Sequence, residues 1–255
     1  MAIQTTDAAI IASEAWEPLS FGEGSRIGLL GDTRVGKTEA ARQLIAKYLE
    51  LSPGMVLIVD DKEARAQFAG QERRDRLELQ ARPMDPAGPR VIVFRGEQYS
   101  LTAQVDPDTV ADLQIALVSK GIATLTVYDE LDKAARGGQW KSGAAAPVRW
   151  GFIKGGSSRA SILWGTQETQ AVPREAFNQS TMILCFKMLG APLRLLGDRG
   201  YLEGGVADVI PTLPGAEVPP AERGHFVALR RGKLWDGKIY RFNVSSDRVR
   251  ATDAA

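Results

Sequence analysis

Residues Gly31 to Thr38 read GDTRVGKT and satisfy the pattern GxxxxGK[ST]. The apolar run Arg26-Ile27-Gly28-Leu29-Leu30 precedes them. Behind them, from Thr38 to Glu50, Ala40, Ala41, Leu44, Ile45, Tyr48 and Leu49 recur at helical spacing. A strand, a glycine loop and a helix in that order narrow the fold more than any other feature of the chain.

The rest of the sequence continues the pattern. Apolar strands are expected at 55–59, 90–94, 122–128, 161–165 and 181–186. Helices are expected over the charged segment 61–82 and after Asp106-Pro107-Asp108. Strands alternate with helices and lack strict polar alternation, which predicts an α/β fold with a mostly parallel sheet covered on both faces. Beyond residue 190 the texture changes. Pro211, Pro214, Pro219 and Pro220 break one span, and HFVALRRGKLWDGKIYRFNV then reads as short strands with glycine turns. The expected organisation is a peripheral segment 1–23, a core 24–190, and an extension 191–255 whose β-hairpin completes the same domain.

In such a loop the glycines let backbone N–H groups turn inward, and the helix start adds its positive end. Gly31, Asp32, Thr33, Arg34, Val35, Gly36, Lys37, Thr38 and Glu39 are therefore the expected contacts to a nucleoside triphosphate. Lys37 would reach the β and γ phosphates, and the Thr38 hydroxyl would ligate Mg²⁺. A second acid for the metal is expected at a strand end. Thr124-Leu125-Thr126-Val127-Tyr128 runs into Asp129-Glu130. Asp129 would hold the metal, and Glu130 would polarise the attacking water as general base. The adjacent acid points to a hydrolase and away from small kinases.

Ser161 to Thr166 ends at Gln167, whose amide could bond both a γ-phosphate oxygen and a water. The other reading is a plain strand cap. Asp60-Asp61-Lys62-Glu63 sits at another strand end, where a salt-bridged surface and a role in the site are equally compatible.

Formal net charge is +1, so no global field announces a polyanionic partner. A local field is different. From Lys133 to Ala160 there is no acid, while Lys133, Arg136, Lys141, Arg149, Lys154 and Arg159 are basic, with Trp140, Trp150 and Phe152 between them. Basic, glycine-rich loops with aromatics suit nonspecific contact with a nucleic-acid backbone. The alternative is a solvated lid whose tryptophans pack onto the domain. One arginine could instead enter a neighbouring subunit's site, Arg159 being the first candidate and Arg149 and Arg174 its rivals. Trp235 and Tyr240 either frame a base or pack the terminal hairpin.

One cysteine, Cys185, excludes an intrachain disulfide, reads as a core residue, and fits a reducing compartment. One Cys and one His cannot build a zinc site. No stretch reads as a signal peptide or a membrane span, so a soluble intracellular protein is expected.

GDTRVGKT, LIVDDKE, LTVYDEL and GGSSRASILWGTQETQAVP together resemble the FtsK/HerA superfamily of P-loop ATPases. Among its members they are most similar to the genome-packaging ATPases of membrane-containing icosahedral viruses. The resemblance covers roughly residues 24 to 245. It implies a RecA-like (ASCE) core, ATP with Mg²⁺, double-stranded DNA as partner, and a homo-oligomeric ring, as a hexamer. It also implies Gln167 as sensor, Arg159 as trans-acting finger, and Gly224-His225-Phe226-Val227-Ala228-Leu229 as the start of the terminal hairpin. A location in the host cytoplasm, with virion association and a vertex or membrane protein as partner, follows from the same likeness. The chain departs from the larger members. Gln-Arg-Pro after the sensor strand is replaced by Gln167-Glu168-Thr169, and no long N-terminal domain or winged-helix tail is seen. These absences fit a compact packaging motor. A plasmid or conjugation-type DNA motor, and an assembly or regulatory ATPase with a protein client, are the alternatives.

Overall fold

The strand that leads into the glycine loop, Arg26–Leu30, lies at the centre of one sheet. The structure, a computed structural model, describes residues 5–60, 71–73, 90–95, 107–135, 140 and 146–242. Among these, the strands are β1 (Thr5–Asp7), β2 (Arg26–Leu30), β3 (Met55–Asp60), β4 (Gln71–Arg73), β5 (Val91–Arg95), β6 (Thr124–Tyr128), β7 (Ala160–Thr166), β8 (Met182–Cys185), β9 (His225–Leu229) and β10 (Ile239–Arg241). Their order is β1-β10-β9-β8-β2-β7-β6-β3-β5-β4. From β8 to β4 every pairing is parallel; β9 and β10 join antiparallel, and β1 adds parallel to β10.

The apolar runs are explained by burial on both faces. Successive strand residues point to opposite sides. Ile27, Leu29, Ile58, Val127 and Leu163 meet one helical layer; Leu30, Leu57, Val59, Ile162 and Trp164 meet the other. The first layer is α1 (Ala9–Ala15), α2 (Glu17–Ser20) and α3 (Lys37–Leu51). Its main helix buries Ala40, Ala41, Leu44, Ile45 and Tyr48, the stripe read from the sequence. The second layer includes α4 (Pro107–Ser119), α6 (Ala146–Ile153), α7 (Arg174–Gln179) and α8 (Ala191–Asp198). Two short helices, α5 (Leu131–Ala134) and α9 (Val206–Val209), complete the described set. At Gly28 a Cβ would lie 2.6 Å from the Trp164 ring, so only glycine lets that indole cross β2.

Two expectations are corrected. The N-terminal segment is not peripheral: Trp16 is buried, donates its indole N–H to the Leu44 carbonyl at 3.0 Å, and meets Tyr48 edge-on with centroids 5.3 Å apart. Ile11, Ala12 and Ala15 recur at helical spacing and bury with it on α3. Within 61–82, the described residues 71–73 are a strand, not a helix, and they cover the open edge of β5. The rest of 61–82 and the turn at 83–89 lie outside the described residues. The C-terminal strands extend the same sheet, β9 pairing with β8 and β10 with β9.

Candidate active site

β2 ends at Leu30, and the glycine loop carries the chain into α3 at Lys37. Gly36 has φ +106°, a region side chains rarely enter, and a Cβ there would stand 3.0 Å from Gly224 Cα. At Gly31 a Cβ would meet that of Phe186 at 2.7 Å. The loop is tied from outside as well. Asp32 N–H donates to the Lys187 carbonyl at 2.9 Å, and Gly224 N–H donates to the Val35 carbonyl at 3.1 Å. Residues 186–187 and 224, from the chain's last third, therefore shape a loop near its start. Lys37 Nζ donates to the carbonyls of Gly31 and, at 2.7 Å, Asp32. Arg34 is exposed and has φ +62°, one of two described non-glycine residues in the left-handed region.

β7 lies between β2 and β6, and all three are parallel. Their C-terminal ends therefore meet at one edge of the sheet, where open α/β sheets hold ligands. Asp129 and Glu130 follow β6, and Gln167 follows β7. Thr33 of the loop donates its hydroxyl to Gln167 Oε1 at 2.9 Å, and Gln167 Nε2 donates to Glu130 Oε1 at 3.0 Å. Gln167 thus spans from the glycine loop to the second acid. Lys37, Thr38, Asp129, Glu130, Gly165 and Gln167 line one cleft between α3 and the strand ends. At Gly165 a Cβ would press to 2.8 Å from the Asp129 carbonyl oxygen, so glycine lets the acids sit beside β7.

Sequence reasoning missed the residues that fix this end of β7. Thr166 donates its hydroxyl to Asp132 Oδ1 at 2.5 Å and accepts the Glu168 N–H at 3.0 Å. Asp132, three residues past Asp129, was the available signal. The partnership of Thr33 with Gln167 was also unforeseen, although Thr33 was counted in the loop.

Arg159 is placed at the far end of β7. It precedes Ala160, is exposed, and has φ +58°. Eight residues of extended chain put it roughly 25 Å from Gln167 at about 3.3 Å per residue. It cannot reach the cleft of its own chain. Its rival Arg149 lies 3.6 Å from Glu175, and Arg174 starts α7 in an exposed position.

The basic stretch does not form one face. Lys133 lies past the C-terminal end of β6, Lys154 before the N-terminal end of the parallel β7. Arg136 and Lys141 lie outside the described residues. Trp140 and Phe152 are buried, edge to face at 5.7 Å, so neither is presented for base stacking; Trp150 is half-buried. Asp60 closes β3, and 61–63 lie outside the described residues. In the tail, Tyr240 stacks on Phe226 at 5.7 Å and donates to Asp236 Oδ2 at 2.5 Å, while Trp235 donates to the Lys238 carbonyl at 3.1 Å. Both aromatics pack the hairpin. Cys185 is buried, which pushes its thiol far above the ordinary range.

Among the described residues, no cluster of three His, Cys, Asp or Glu side chains could cage a metal. A hydroxyl, a carboxylate and bound phosphates match the hard-oxygen environment Mg²⁺ takes with few protein ligands. Also among them, no helix is long and apolar enough to cross a membrane.

No family model matches the chain, and no curated protein matches it by sequence. Solved structures do. The genome-packaging NTPase B204 from Sulfolobus turreted icosahedral virus 2, with sulfate, superposes with a TM-score of 0.63 at 15% identity, covering 87% of this chain and 98% of that one. The same protein with ATP-gammaS gives 0.58 at 15% identity, over 80% and 91%. The pCW3 conjugation coupling protein TcpA, with ATPgS, gives 0.51 at 14% identity, over 88% of this chain and 62% of that one. The likeness read from the motifs holds at the level of fold: the chain has the RecA-like P-loop NTPase architecture.

Proposed function

We propose that this chain hydrolyses ATP and uses the turnover to move double-stranded DNA, as a homo-oligomeric ring. One observation carries the reading: Gln167 connects Thr33 of the glycine loop to Glu130 through hydrogen bonds of 2.9 and 3.0 Å. An amide in that position contacts the phosphate side and the water side of the cleft at once. It is suited to register whether the γ-phosphate is attached.

Each side chain has a defined task in this reading. The loop amides and Lys37 bind and orient the triphosphate. Glu130 takes the proton from the attacking water, and Gln167 orients that water. Thr38 and Asp129 would hold Mg²⁺, which neutralises phosphate charge when bound. Arg159, beyond reach of its own cleft, would act on the neighbouring subunit. That role requires an oligomer in which this end of one chain meets the cleft of the next.

DNA packaging is the preferred task because the fold likeness includes a viral genome-packaging NTPase over most of both chains. A conjugation-type DNA motor is the second reading, favoured by the likeness to a conjugation coupling protein. A hexamer, a virion-vertex partner and a cytoplasmic site of action belong to the packaging reading. ATPase rate per subunit, measured with and without duplex DNA over a range of protein concentrations, tests it. The rate should rise with both. A rate indifferent to both would remove the trans finger and the DNA substrate together.

A further inference from the structure

The linear basic stretch is dispersed by the fold, but arginines distant in sequence are brought together elsewhere. Arg174 and Phe177 stand three apart on α7 and share one face. The Arg199 guanidinium lies over the Phe177 ring, 3.9 Å from its centroid. Tyr201 locks the arrangement by donating its hydroxyl to the Phe177 carbonyl at 2.6 Å. Arg149 of α6 is one residue further round, opposite Glu175 at 3.6 Å. Glu175, the acid adjoining Arg174, is thus turned to a different arginine. Among the described residues neither Arg174 nor Arg199 makes an ion pair with an acid.

The chemistry at Arg199 is unusual. Its Nη1 is buried and has no hydrogen-bond partner among the described residues. A buried cationic N–H without an acceptor is among the costlier arrangements in a fold. Burial and the neighbouring Arg174 charge both lower the Arg199 pKa. An anion at this face offsets the mutual repulsion of the Arg174 and Arg199 charges.

We infer that Arg174 and Arg199 form the surface that grips the phosphate backbone of DNA. The guanidinium forks present paired N–H donors of the kind that match phosphate oxygens. They come from separate elements, with Arg174 exposed and Arg199 half-buried beside it. A single small anion is better held in an enclosed site, whereas a polyanion with regularly spaced charges matches several exposed cations at once. One short loop joins the face to the cleft, from Gln167 at the end of β7 to Arg174 at the start of α7. This inference rests on the DNA-motor reading above.

The test is anisotropy of a labelled DNA duplex titrated with the full chain at several salt concentrations, for wild type, Arg174→Ala, Arg199→Ala and Arg199→Lys. Each alanine variant should flatten the slope of log affinity against log salt by about 0.9, the loss of one phosphate contact. Arg199→Lys should keep the slope and bind more weakly, because charge remains and the fork is lost. Arg174 is exposed, so its variant reads out binding even if Arg199→Ala is unstable. Unchanged affinity and slope in Arg174→Ala, with wild type binding duplex, overturns this surface and leaves the motor reading intact. Absence of duplex binding by wild type overturns both. If the slope is unchanged and the variants instead lose the concentration dependence of ATP turnover, the arginines serve a neighbour's triphosphate and the DNA assignment is wrong.

Discussion

Gln167 donates its amide to Glu130 across 3.0 Å, joining the ends of two adjacent parallel strands. The same side chain accepts from Thr33 of the glycine loop. Replacing Gln167 by Ala should lower kcat about 10²-fold, the order expected for removing one preorganised polar group. KM should change little. Steady-state kinetics check this, and a change confined to KM would assign Gln167 to binding instead.

The Thr33 link is separable. Thr33→Ser keeps the hydroxyl and should keep turnover close to wild type. Thr33→Val removes the donor while preserving shape, and kcat should fall about tenfold, as for loss of a bond worth about 1.4 kcal/mol. Equal activity of the two variants would mean the hydroxyl has no role.

Lys37 is the test of nucleotide binding itself. A ligand at about 100 times its Kd stabilises the folded state by about 2.7 kcal/mol. Thermal melts with Mg²⁺ and a non-hydrolysable ATP analogue should therefore rise by several degrees for wild type. Lys37→Ala should show no rise.

Trp140 belongs to the core, in edge contact with Phe152. Trp140→Ala should destabilise the chain by about 3–5 kcal/mol, the usual range for a deleted buried aromatic. Urea unfolding measures it. A loss of DNA affinity at full stability would restore this tryptophan as a contact residue.

His225 follows Gly224, the residue that braces the glycine loop. Its pKa is lowered by burial and, secondarily, by the charge of Arg241 across the β9–β10 pair. A folded-state pKa below the unfolded value means that the unfolded chain binds the proton more readily. Stability should be independent of this group at high pH and fall as pH drops through the unfolded value of about 6.5. As the chain has one histidine, His225→Gln should flatten that part of the stability curve.

The glycine loop, Asp129-Glu130 and Gln167 were legible because each is local: a turn chemistry or a polar residue closing an apolar strand. The insertion of β7 between β2 and β6, which brings those ends together, is a nonlocal pairing that no spacing encodes. For the same reason the brace from Gly224 to the loop and the meeting of Arg174 with Arg199 were invisible. Trp140 and Phe152 misled because basic neighbours in sequence do not reveal which way a ring points. The N-terminal helix carried its signal in Ile11, Ala12, Ala15 and Trp16, but beside charged neighbours the stripe was short.

The most direct test of the central claim is steady-state ATP hydrolysis by wild type and Glu130→Gln, each with and without duplex DNA. The amide preserves shape and hydrogen bonding to Gln167 but cannot accept the proton from water. Wild type should turn over and accelerate on DNA, and Glu130→Gln should lose turnover by about 10²-fold or more in both conditions, in line with removal of a general base. DNA-stimulated turnover of the variant at the wild-type rate would contradict the account.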